Sequence, residues 1–373
     1  MVTLDTQVTG SPDRGGLSSW IRDTFPFRAV ILPWIVVRLL VVPVLILNSP
    51  PVITNESPST IRPGWLLAMD GGWFRAIALD WYDRHDGDGG MAEYPFFPLF
   101  PAAGGLLVRL GLPLTVALAG LSWAAALAAM AGARLLAERH IGADAARLTP
   151  WVIALAPGAL SLVLGYSDSF YLAALIWAVL AVGQRRWWLA GVLAAMASAS
   201  RPNGAIAVFV VVAVAIGLGA KRRHFVALIL PSMLFLIAWM VYLWQTTGDA
   251  LLFWTAKSAW VEKTAVEFIS DPLQQRLALF HMALLAVFLV PYVIRFRRQP
   301  PAWSVVVVLG VLPALALGVV GVARYAVLAF PIPIAAADLL SERPRWVQIV
   351  ALVISAAVLM TFARLVVTKS WVP

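Results

Sequence analysis

The sequence predicts an all-α, polytopic helical membrane protein, and three observations lead there. Of its 373 residues, 61% are hydrophobic and only 13% charged, with a mean hydropathy of +0.85. A soluble domain is roughly 45–50% apolar and about 25% charged. Long apolar runs recur along the chain without the polar–apolar alternation of a membrane barrel. The basic residues gather in short clusters between those runs, as cytoplasmic membrane loops do. That distribution argues against nucleic acid as a partner despite a net charge of +9, and the lack of cysteine excludes disulfides and cysteine-ligated metals.

Residues 1–28 are polar, with Gly10, Pro12, Gly15 and Gly16, and read as a disordered cytoplasmic tail; no apolar core comes early enough for a signal peptide. Residues 29–373 read as a single transmembrane domain. The candidate spans are 29–47, 113–132, 148–165, 168–183, 187–200, 204–219, 225–244, 277–295, 303–321, 324–340 and 346–367, about eleven (10–12) in all. Segment 96–110 is apolar but short, and is broken by Pro98, Pro101, Gly104 and Gly105. Basic clusters at Arg134/Arg139/Arg147, Arg185/Arg186, Lys221/Arg222/Arg223, Arg295/Arg297/Arg298 and Arg343/Arg345 recur after every second span. All of them share the cytoplasm with the N-terminus if 96–110 does not cross, so it reads as a re-entrant or interfacial helix. The opposite face then receives a first outer loop at 48–95, "GYSDS" at 165–169, "SRPNG" at 200–204, a second large outer loop at 245–276 and "ARY" at 323–325.

Chemistry concentrates on that outer face. In "MDGGWFRAIALDWY" (69–82), Asp70, Trp73, Phe74, Ile77 and Trp81 recur every three or four residues, which predicts a helix lying on the membrane with an acid at its start. Asp70 is either a helix N-cap or a general base at the membrane surface. Asp168 has the same two readings at the start of its span. Arg201 and Arg324 sit at outer span ends, either snorkelling or holding an anion. Arg38 lies mid-span, with about 13 Å of helix on either side at 1.5 Å per residue. A charge there costs at least ~2.5–3.5 kcal/mol unless it faces the bundle and finds a partner, expected to be an acid or a ligand's negative charge. The four histidines show no ligand spacing, and there is no phosphate-cradling glycine loop or nucleophile elbow. Asp83, His85, Asp86 and Asp88 form a fragment of a calcium loop that lacks its closing Glu, and read as a solvated loop tip.

Taken in order, "LPWIVVRLLVVPV", "MDGGWFRAIALDWY", "EYPFFPLFP", "GYSDSFYLAALIWAVLAVGQRRWWLAGVLAAMASASRPNGA" and "ARYAVLAFP" resemble the PIG-V family, the GPI mannosyltransferase 2-like proteins of the GT-C glycosyltransferases, over roughly residues 29–340. The resemblance implies a GT-C membrane fold with interfacial helices in the first outer loop. It implies transfer of a sugar, mannose first, from a polyprenyl-phosphate carrier to a lipid or glycan hydroxyl at the non-cytoplasmic face. It implies Asp70 as catalytic residue; beside it, Arg38, Trp73, Glu93, Tyr166, Asp168, Arg201, Asn203, Arg324 and Tyr325 are read as the substrate-binding set from their chemistry and position. No cofactor or resident metal is expected; the partners are the donor, the acceptor and membrane lipids. Met69 stands where the family often has an aromatic, and Trp81-Tyr82 where it often has Gly-Tyr. A secondary transporter or lipid-carrier translocase is the competing class, against which stand the absence of an internal repeat and the gathering of motifs on one face. Abundant Ala, Arg and Trp suggest a GC-rich bacterial genome, hence a bacterial plasma membrane.

Overall fold

The structure is a computed structural model that describes residues 27–48, 65–82, 93–257, 272–317 and 322–368. Residues 1–26, most of the 48–95 loop with the Asp83–Asp88 fragment, and residues 258–271 of the 245–276 loop lie outside the described residues. Among the described residues the regular structure is helical throughout. Its elements are α1 (Phe27–Asn48), α2 (Asp70–Asp80), α3 (Leu99–Arg109), α4 (Leu114–His140), α5 (Ala143–Leu155), α6 (Asp168–Gly183) and α7 (Trp187–Ser200). They continue as α8 (Ile206–Gly217), α9 (Arg222–Thr247), α10 (Pro272–Arg295), α11 (Ser304–Leu317), α12 (Val322–Leu328), α13 (Pro331–Ser341) and α14 (Arg345–Val367). In hydrocarbon a helix satisfies its backbone internally, which is why uncapped apolar runs suffice to form these elements.

Each predicted span meets a helix, and 168–183 and 187–200 match α6 and α7 to the residue. Two predicted spans are broken. The 148–165 run stops at Leu155 and continues as a 3₁₀ turn, Pro157–Leu162, because Pro157 has no N–H for the ladder. The 324–340 run divides into α12 and α13, the latter restarting with Pro331 in its first turn. By length and composition, five helices among the described residues can cross a membrane: α1, α4, α9, the α10 region Leu279–Arg298, and α14. Five of the expected eleven crossings are supported by that measure. At 11 residues α3 spans about 16 Å, half of a ~30 Å core, but α5 to α8 are short as well, so length does not single out segment 96–110.

Small residues bring the central helices together. α4 packs on α6, α6 on α7 and α7 on α9, with Ala129, Ala133, Ala178 and Ala194 fully buried between them. A Cβ at Gly191 would stand 1.9 Å from the Ala227 carbonyl oxygen, so α7 and α9 meet backbone to backbone. The outer faces are apolar and open: Leu234 on α9 and Ile354 on α14 are 58% and 60% exposed. Such surface fits lipid.

The helix read as lying on the membrane packs differently. Phe74 and Ile77 of α2 are buried in protein, and Phe74 meets Phe96 and Phe100 edge-on at 5.3 and 5.1 Å. Trp81 falls outside the helix, at its C-terminal end with φ 59°. The apolar stripe of α2 thus faces the bundle, because the "EYPFFP" segment folds back over it.

Candidate active site

Four charged side chains from four separate stretches meet at one point. Arg324, in α12, donates from Nε and Nη2 to the two oxygens of Asp168 at 3.0 and 2.5 Å, a bidentate grip. Its remaining Nη1 donates to Asp70 Oδ2 at 2.7 Å. Arg201 donates from Nη1 to Asp168 Oδ1. Asp168 is fully buried, whereas the Asp70 side chain retains 26% of its exposure. The site is therefore closed at Asp168 and open at Asp70.

Neither acid caps a helix through its side chain. Both lie in the first turns of α2 and α6, where the helix dipole favours a negative charge, but the carboxylates turn to the arginines. The N-cap readings of Asp70 and Asp168 are corrected accordingly. Arg201 and Arg324 do not snorkel; both are 8% exposed. Arg201 has extended backbone at the break between α7 and the 3₁₀ turn Pro202–Ala205. Aromatic faces support both cations: the Arg324 guanidinium lies 5.1 Å from the Tyr166 ring, and that of Arg201 lies 5.5 Å from Tyr171 and 5.7 Å from Tyr325. Asn203 lines a small cavity with Tyr171 and Tyr325.

One strap of chain ties the cluster together. Gly165 donates its N–H to the Leu66 carbonyl at 2.8 Å, and the Tyr166 hydroxyl donates to that of Ala68 at 3.0 Å. Both acceptors lie just ahead of Asp70. Met69, between Ala68 and Asp70, holds φ 51°, a strained value for a residue with a side chain. On the strap's other flank, a Cβ at Gly158 would stand 2.1 Å from the Ala323 carbonyl oxygen and 2.8 Å from Arg324 Cα.

The remaining expected residues lie apart. Trp73 stacks on Phe96 at 5.9 Å, one helical turn from Asp70. Glu93 is buried at the far end of α2 beside Tyr82; burial, with Tyr242, Glu93 and Tyr94 nearby, pushes the Tyr82 phenol well above its usual range. Arg38 faces the bundle as expected, but the expected acid is replaced: Nη1 donates to the Trp34 carbonyl at 2.8 Å and Nη2 to the Leu162 carbonyl at 3.4 Å. Its guanidinium lies 4.1 Å from the Trp34 ring and 5.2 Å from that of Trp123. Trp34, Trp123, Tyr171 and Gly158 escaped the sequence reading. Only Trp34 and Tyr171 carried a signal, standing four residues before Arg38 and three after Asp168.

No family model matches the chain, and no curated protein matches it. Solved structures do. The apo oligosaccharyltransferase of Archaeoglobus fulgidus shares 15% identity over 92% of this chain and 56% of its own, with a TM-score of 0.51. Its complex with zinc and sulfate gives 16%, 91%, 53% and 0.47, and the AglB complex with an inhibitory peptide and a dolichol-phosphate gives 14%, 95%, 56% and 0.47. The chain spans just over half the length of these proteins. The apo likeness shows the fold alone, a helical membrane fold shared with that oligosaccharyltransferase.

Proposed function

We propose that the chain is a membrane glycosyltransferase that moves a sugar, mannose first, from a polyprenyl-phosphate carrier to a hydroxyl of a lipid or glycan, at the non-cytoplasmic face of a bacterial plasma membrane. The carrying observation is Arg324 held between a sealed carboxylate, Asp168, and a partly open one, Asp70. The resemblance to the PIG-V family supports the donor and the face, and the fold shared with an oligosaccharyltransferase supports the reaction class.

The chemistry requires three things of the protein. The acceptor hydroxyl must lose a proton as its oxygen attacks the anomeric carbon, and Asp70 takes it. The bond from that carbon to the carrier phosphate breaks, and the departing phosphate needs positive charge, which guanidinium groups supply through charge-assisted hydrogen bonds. The prenyl tail needs apolar surface, which the lipid-facing helices offer.

The resting cluster is neutral, two carboxylates against two guanidiniums, so an arriving phosphodiester adds one negative charge. It competes with Asp70 for Arg324 Nη1, because that bond lies at the open edge while Asp168 is buried under three others. Arg201 Nε, buried with no partner among the described residues, is read as the second donor, reached only once the phosphate has displaced Asp70. Displacement from Arg324 then leaves the Asp70 carboxylate to accept the proton. In this reading Trp73 and Glu93 serve the acceptor; Tyr166 and Tyr325 lie against the guanidiniums, and Asn203 lines the small cavity beside Tyr325.

The test is a reconstituted assay with polyprenyl-phosphate-mannose and a panel of lipid and glycan acceptors. Asp70→Asn should lower transfer by about 10²–10⁴-fold in folded protein. Undiminished transfer would remove Asp70 from the mechanism, and carrier movement across the bilayer without transfer would favour a translocase.

A further inference from the structure

An arginine buried at mid-span, with no acid beside it among the described residues, calls for an explanation. Arg38 is 7% exposed, and two of its nitrogens are spent on the carbonyls of Trp34 and Leu162. The cavity next to it, lined otherwise by apolar residues, has a volume of about 10 Å³. That is the space of one water at most, far below the size of a phosphate. In this conformation a phosphate does not fit beside Arg38, although its Nε has no partner among the described residues.

What it does have is a relay to the strap. Trp34 Nε1 donates to the Trp123 carbonyl at 2.9 Å, and Trp123 Nε1 donates to the Val163 carbonyl at 2.6 Å. The two indoles meet edge-on at 6.3 Å and carry the guanidinium between them. Arg38 and Trp123 thus grip the consecutive carbonyls of Leu162 and Val163 from α1 and α4. Those carbonyls belong to the last residue of the 3₁₀ turn and the one after it, a few residues ahead of Asp168. Ser169 Oγ reaches the same Leu162 carbonyl at 3.5 Å. The strap they hold carries Asp168 itself, reaches the chain before Asp70 through Gly165 and Tyr166, and backs Arg324 through Gly158.

We infer that Arg38 is a positioning residue for the Asp70–Asp168–Arg324 cluster, acting together with Trp123 through the carbonyls of Leu162 and Val163. The inference rests on the proposed function only in where the cluster's work is read. A lysine at 38 keeps the charge but loses the planar fork that donates to two carbonyls and lies against two indoles. A phenylalanine at 123 keeps the ring and loses the N–H. The two changes cut the same relay.

The experiment compares Arg38→Lys, Trp123→Phe and the double variant as purified protein. Hydrogen exchange of amides 164–170 should quicken by about tenfold in each single variant, with the double within about twofold of the singles, since both remove one coupled unit. In the transfer assay kcat should fall by about 10- to 100-fold, the usual result of a displaced reacting group, with donor KM within about twofold. A raised donor KM with kcat kept in Arg38→Lys, and a silent Trp123→Phe, would overturn the inference and make Arg38 a phosphate ligand. Unchanged exchange in both singles would overturn it as well. If Arg38→Lys does not fold, Trp123→Phe alone decides. If wild-type protein transfers no sugar, the proposed function fails while the exchange measurement still tests the relay.

Discussion

Two ionic clusters in this protein have the same composition, two arginines and two acids, and differ in almost everything else. The second joins Arg295 and Arg298 to Asp338 and Glu342. Arg295 Nε lies 3.4 Å from Asp338 Oδ2 and its Nη2 donates to Glu342, while Arg298 Nη1 lies 3.4 Å from Asp338 Oδ1 and 2.9 Å from Glu342 Oε1. Its longest bonded link crosses 47 residues and ties the end of α10 to the end of α13. Acids at a helix C-terminus oppose the dipole, and the arginines offset them. That cluster explains itself as a fastening between helix ends. In the first, the acids already sit at helix N-termini where the dipole favours them, yet each also binds arginine, across 254 residues for Asp70. It stands at helix breaks beside a strained Met69. The lesson is that charge content does not mark a site; the marks are broken helices, backbone strain, and one carboxylate sealed while its neighbour stays open.

The largest effect that could break this contrast comes from neutralising each cluster's buried acid. Asp168→Asn leaves two buried guanidiniums short of a partner and should destabilise the protein by about 3–5 kcal/mol, read as a lowered melting temperature or loss of folded yield. Asp338→Asn should cost about 1–3 kcal/mol, because its contacts are longer and Arg298 is half exposed, and should leave transfer per folded molecule unchanged. Equal losses in both would erase the distinction. Arg324→Lys comes next. One ammonium cannot reproduce three directed bonds to two carboxylates, so kcat/KM should fall by about 10- to 100-fold, with donor KM raised and acceptor KM little altered. A lysine variant with wild-type kinetics would reduce Arg324 to the fastening role of the second cluster.

The smallest effect is a pH dependence in the second cluster. The hydrogen bond from Arg295, then the nearby charge of Arg295 and Arg298, holds the Glu342 carboxyl below its ordinary value of 4.5. A carboxyl whose folded pKa is lowered binds more protons unfolded than folded. Its contribution is therefore present above pH 4.5 and fades as pH falls through the lower folded value. The melting temperature of wild type should drop more between pH 5 and pH 3 than that of Glu342→Gln. Parallel curves would mean that this exposed pair is screened to nothing.

Much of the fold could be read from the chain, because the punctuation that ends a helix is local. Asp168 and the Gln184–Arg186 turn bound α6, and Arg201-Pro202 ends α7. The residue types of the site were equally visible: an apolar chain that keeps Asp70, Asp168, Arg201 and Arg324 draws attention to them. Their arrangement was not. The N-cap explanation for both acids is local and satisfies the sequence, whereas the bond from Asp70 to Arg324 depends on how distant helices pack. Arg38 shows the limit differently, since its partners are backbone carbonyls and ring faces, which every sequence supplies and no motif announces. Arg295 and Arg298 were read as mere loop charge for the same reason: Asp338 and Glu342 meet them only after α10 and α13 come together.

Gly158 bears no charge, donates no side-chain bond and contacts no substrate in the proposed mechanism. Yet the space where its side chain would go is filled by the peptide group that leads into Arg324. A single methyl group there, the least that any replacement of glycine adds, would push that peptide aside and drag the guanidinium off two carboxylates. In the history of such a chain, descent with every charged residue intact would not ensure descent with activity. A lineage could fall silent through one alanine at 158 while the four residues that do the chemistry still stood in place.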